Sequence, residues 1–219
     1  MGQGVLPRAR ERLRTPRAAA VAGILFALLL GAAFILIRIV IPPDPLDGGE
    51  WLTTRAAIVS YGLGLIPLAG IAFLWFIGVV RDHLGELEDR FFSTVFLGSG
   101  LLFLAMTFVS AALAGGLLAS YNTIPSQLVR SGLYTFGRTV MYQITNVYAI
   151  RMAGVFMLSL GTVWVRTHTM PRLLAFLTYA LALGLLLIVD HSLWVTLIFP
   201  AWVLIVSTYI LITNLRRAD

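Results

Sequence analysis

Six stretches of this chain stay apolar for about the 20 residues that a helix needs to cross a bilayer. They cover residues 18–42, 56–80, 91–118, 141–165, 173–190 and 193–214. The pattern predicts an all-α fold: a polytopic membrane bundle of six transmembrane helices over 18–215, between a basic segment 1–17 and a short tail 216–219. The first stretch follows "RARERLRTPR", which resembles the charged start of a signal peptide. Its apolar run is too long for one, and "IRIVIPPDP" offers no small-x-small cleavage site, so it reads as an uncleaved first helix.

Charge sets the expected orientation. With the N-terminus cytoplasmic, the inner flanks hold Arg8, Arg10, Arg12, Arg14, Arg17, Arg81, Arg90, Arg166, Arg172, Arg216 and Arg217; the outer flanks hold only Arg38, Arg55, Arg130 and Arg138. That asymmetry places both termini inside. Trp51 and Tyr121 then fit the outer interface and Trp164 the inner one. The outer loop 42–54 is rich in proline, glycine and acid. The outer segment 119–140 has room for a short interfacial helix leading into span four, a reading that Gly132 and Gly137 weaken.

Composition narrows the chemistry. Only 12% of the 219 residues are charged, against about 25% in a soluble domain. All sixteen basic residues are arginine, so lysine Schiff bases are excluded, and the arginine bias suggests a bacterial plasma membrane. There is no cysteine, which removes disulfides, thiolate metal sites and cysteine nucleophiles. The net charge of +6 does not point to nucleic acid, because the arginines sit at the ends of apolar runs. No serine-hydrolase, phosphate-loop, zinc-protease or dinucleotide motif occurs, so no enzyme, metal or cofactor is expected.

Helices in lipid associate through small residues that let backbones approach. Span one carries Gly23, Ala27 and Gly31. Span two carries Gly62, Gly70 and Gly78, with Pro67 expected to kink it. Span three carries Gly98, Ala105, Ala112 and Ala119 at seven-residue spacing. All are read as packing positions.

Span four is the polar one, with Tyr142, Gln143, Asn146, Arg151 and Ser159. Arg151 lies about 22 Å above Arg166 along the helix, in the outer half of the membrane. A charge there costs several kcal/mol unless paired or hydrated. Its partner by depth is Asp190, beside His191 in the turn into span six. Three readings stay open: an Arg151–Asp190 pair that fixes helix register, completed by Asn146 and Gln143; an outward cavity for an anion or small polar molecule; or snorkelling of Arg151 to the outer headgroups. The cytoplasmic hairpin "RDHLGELEDR" holds Arg81, Asp82, His83, Glu86, Glu88, Asp89 and Arg90. It reads as a solvated hairpin or a docking point, since its spacing matches no metal motif.

The connection "RTHTMPRLLAFL", residues 166–177, resembles the Pro-Arg-x-Leu connection of uncharacterised six-span bacterial membrane proteins of a domain-of-unknown-function class. That resemblance implies a six-helix fold and no known activity. The function expected is non-enzymatic binding or assembly within the bilayer, or else transport of a small solute or anion past Arg151 and Asp190. The partners to consider are membrane lipids, a second copy or another membrane protein, and a small polar or anionic ligand.

Overall fold

The computed structural model describes residues 15–42, 49–85, 90–167, 170–187 and 193–216. Every described element is helical: α1 Thr15–Val40, α2 Trp51–Thr54, α3 Ala56–Gly85, α4 Arg90–Thr123, α5 Pro125–Arg130, α6 Leu133–Gln143, a π-helical segment Ile144–Ala149, α7 Ile150–Thr167, α8 Arg172–Leu187, a 3-10 turn Leu193–Leu197 and α9 Ile198–Arg216. In lipid a backbone must satisfy its own hydrogen bonds, and apolar runs of this length do so as helices.

Among the described residues, five helices are long and apolar enough to cross a membrane: Arg17–Val40, Ala56–Arg81, Phe91–Thr123, Leu133–Thr167 and Trp194–Leu215. This is the architecture of a multi-pass membrane protein. The expected fifth span appears as α8, an apolar helix of 16 residues, about 24 Å long. Its expected end, with Asp190 and His191, lies outside the described residues. The fourth span starts earlier than residue 141. It begins at Leu133 and runs through α6, the π segment and α7. The short helix before it is α5, started by Pro125, whose missing N–H costs nothing at a first helical position. Gly132, at φ +73°, makes the turn between α5 and α6. Gly137 lets α6 close on Leu117 of α4, where a Cβ would sit 2.9 Å from Cδ2. The glycines therefore shape this helix pair instead of breaking it.

The centre is aromatic. Phe26 of α1, Phe73 of α3, Phe103 of α4, Phe156 of α7 and Phe199 of α9 are all buried, one from each long helix. The Phe73 ring lies 4.4 Å from Phe26, 5.7 Å from Phe103, 5.5 Å from Phe156 and 5.7 Å from Phe199. Such ring pairs contribute about 0.5–1.5 kcal/mol each beyond area burial. That matters where lipid offers no hydrophobic gain for helix association. Trp202 of α9 donates its indole N–H to Thr178 Oγ1 of α8 at 2.9 Å, which ties α8 to the bundle alongside its packing on α7.

Some small residues behave as the sequence suggests and others do not. Gly23 faces Phe76 and Ser207, and Gly62 lies against the Ala33 carbonyl. The seven-residue stripe of α4 faces outward: Ala105, Ala112 and Ala119 are exposed, and a Cβ on Gly98 would meet nothing within 4 Å. The close contact of α4 runs instead through Gly100, whose Cβ would lie 2.7 Å from Ile77 Cδ1. The expected interface tryptophans are also core residues. Trp51 is buried and donates to Tyr134 Oη at 2.9 Å. Trp164 packs on Trp202 with ring centroids 5.8 Å apart. A tryptophan whose N–H has a protein partner, or whose face has a ring to meet, gains nothing from the headgroup region.

Candidate functional site

The charged hairpin contributes little that can be located. Arg81 is exposed on α3, Asp82 and His83 fall in its last turn, and Arg90 opens α4. Glu86, Glu88 and Asp89 lie outside the described residues.

The polar stretch of span four is organised by a change of helical pitch. At its end the Ile150 N–H bonds to the Thr145 carbonyl, five residues back. Such π segments are short and recur at functional sites. A widened ladder serves its carbonyls less evenly, and side chains supply donors here. Ser110 Oγ of α4 donates to the Met141 carbonyl at 3.0 Å, Asn146 Nδ2 to the Tyr142 carbonyl at 3.1 Å, and Arg151 Nη1 to the Val147 carbonyl at 3.0 Å. Thr145 Oγ1 lies 2.6 Å from Ser110 Oγ.

This pitch change turns Asn146 toward α1. Asn146 Oδ1 accepts a hydrogen bond from Arg38 Nη2 at 2.8 Å. Arginine has donors only, so the amide orientation is settled by this bond. The Arg38 guanidinium also lies over the Tyr142 ring, 5.8 Å from its centroid, a cation–π arrangement. Arg138, buried on α6, donates from Nη2 to the Pro42 carbonyl just past the end of α1. Around these groups is a cavity of about 490 Å³ between α1, α3, α4 and the α6–π junction. Its lining includes the polar Arg38, Arg138, Tyr142, Gln143 and Asn146, the hydroxyls of Thr107, Ser110, Thr139 and Thr145, and the apolar Phe34, Ile37, Leu63, Ile66 and Met141. Among the described residues that line it there is no carboxylate.

The structure thus gathers Tyr142, Gln143 and Asn146, as expected, but around Arg38 and Arg138. Arg151 is half-buried and outside the cavity lining, with a hydrogen bond to its own helix. The Asp190 and His191 parts of the expected site lie outside the described residues. The topology count treats Arg38 and Arg138 as outer flanking charges. One signal sets Arg38 apart: in "ILIRIVIP" it is bracketed by apolar residues just as Arg151 is in "NVYAIRMAGVF".

Below the cavity the bundle is closed. Phe103 lies one turn from Thr107, which lines the cavity, and belongs to the aromatic centre. The hydroxyls of Ser159 and Thr162 are bonded to the Val155 and Leu158 carbonyls of their own helix. Thr162 Oγ1 also accepts a hydrogen bond from Tyr179 Oη of α8 at 3.0 Å.

Comparison with protein-family models, with curated proteins and with solved structures finds no match to this chain.

Proposed function

We propose that this protein is a six-span bacterial plasma-membrane protein with both termini cytoplasmic, and that it binds an anionic ligand, without catalysis, in the outer-half cavity around Arg38. The six-span reading takes α8 as a short fifth crossing. It agrees with the architecture implied by the Pro171–Arg172 connection, where the Ala175 N–H bonds back to the Pro171 carbonyl and starts the helix. The orientation rests on the arginine asymmetry.

One observation carries the binding reading: the Arg38 guanidinium stands at a cavity on neutral described partners, Asn146 and Tyr142. An amide and a ring face compensate a half-buried cation only in part, and an oxyanion would complete its fork of donors. The closed aromatic centre favours a binding site over a through-going transport path, which needs a hydrated route from each side.

Titration of the delipidated protein with inorganic phosphate tests this. Arg38→Met is expected to weaken binding about 10- to 100-fold, the loss of a charge-assisted hydrogen bond. Arg151→Met is expected to change it by less than about threefold, since effects at sites that share no partner are small. Equal affinity in wild type and Arg38→Met would contradict the reading.

A further inference from the structure

We infer that the occupant of the Arg38 cavity is a phosphate-bearing amphiphile of net negative charge that enters sideways from the surrounding lipid, its headgroup on the arginines and its chain along the apolar residues. This rests on the anion-binding reading and adds the other half of the ligand.

Three observations support it. The cavity is far larger than a bare oxyanion needs. Its volume of about 490 Å³ falls within the roughly 300–1,000 Å³ range of sites for sizeable organic ligands. The lining is also mixed, with guanidinium, amide and hydroxyl groups beside the apolar Phe34, Ile37, Leu63 and Ile66, which fits a molecule with one charged and one apolar end. Lastly, the cavity borders a packed apolar cluster and has exposed polar residues at its side.

In that cluster Ile41, Trp51, Leu52, Leu128 and Tyr134 are buried. Ile41 belongs to both the cluster and the cavity lining. Tyr134 sits one turn before Arg138, about 5–6 Å along α6. α1 and α6 meet at the Arg138–Pro42 hydrogen bond and the Arg38–Tyr142 ring contact, and the side access is placed at the exposed cavity residues beside them. Thr139 and Gln143 line the cavity and are exposed on the flank of the bundle. Ile39, beside Arg38 on α1, is exposed as well. Exposed polar groups within a spanning helix suit a headgroup passing sideways.

The test is native mass spectrometry of the full chain released from nanodiscs of equal phosphatidylglycerol and phosphatidylcholine, with a parallel titration in inorganic phosphate. The wild type is expected to retain one phosphatidylglycerol about tenfold over phosphatidylcholine, and Arg38→Met to lose that preference. Ala111→Phe, which enlarges one of the apolar lining residues, separates tail from headgroup. It is expected to abolish lipid retention while phosphate binding persists. Phosphate binding that depends on Arg38, with no lipid preference, would overturn the amphiphile and leave the anion site standing. Loss of both would overturn both. A lipid preference unchanged in Arg38→Met would place the lipid elsewhere and also overturn the inference.

Discussion

Replacing Trp51 with alanine is expected to lower the unfolding free energy by about 3–5 kcal/mol, the range for large aromatic truncations in packed cores. Trp51 is only 4% exposed, although α2 is a helix of four residues. Such a helix cannot hold itself together, because nucleation costs more than one turn returns. Its position comes from the packing of Trp51 and Leu52 against Val59, Leu117, Leu128 and Tyr134, and from the indole bond to Tyr134 Oη. Truncation removes both. Trp51→Phe keeps most of the buried ring and loses the bond, so a loss near 1 kcal/mol is expected. Reversible unfolding in mixed lipid–detergent micelles measures both. Equal small effects from the two variants would mean that the apolar cluster bordering the cavity is not a packed unit.

Gly154→Leu is expected to cost about 3 kcal/mol, the upper part of the range for overpacking. A Cβ at Gly154 would lie 3.0 Å from Leu186 Cγ and 3.1 Å from the Ala182 carbonyl of α8. A carbonyl in a helix cannot rotate away, so α8 itself would have to move. Gly31→Leu and Gly98→Leu are the controls. Nothing lies within 4 Å of a Cβ at either position, and changes within about 0.5 kcal/mol are expected there. The same micelle unfolding decides it. A large loss at Gly98 would restore the outward stripe of α4 as an interface.

These glycines illustrate how far the sequence can be read. Apolar runs show where helices are, because lipid leaves a long apolar segment no other backbone solution. Glycine and alanine counts show that helices come close, but not which small residue makes the contact. Gly98 and Gly100 differ by two positions and face opposite ways, and only the relative rotation of helices in the bundle decides between them. The fourth span is a similar case. A π segment has no sequence signature of its own, so the turn of Asn146 toward Arg38 could not be read from spacing drawn on an ideal helix.

The arginines carry the same lesson for the site. Tyr142, Gln143 and Asn146 stand out as polar groups in an apolar run, and the cavity contains all three. Their cation comes from α1, 108 positions away in the chain from Asn146, a separation that no local pattern encodes. Arg151 answers a different need. Its guanidinium is hydrogen-bonded to the Val147 carbonyl within the π segment of its own helix. A charge inside an apolar run can thus complete a helix as well as mark a site, and its surroundings tell which.

Anomalous diffraction from crystals soaked in selenate tests the central claim most directly, because it locates the anion itself. A selenium peak at hydrogen-bonding distance from the Arg38 guanidinium, inside the cavity and lost in Arg38→Met, is the result expected. A peak beside Arg151 and none at Arg38, or no peak in the bundle at all, would contradict the assignment of Arg38 as the anion-binding residue.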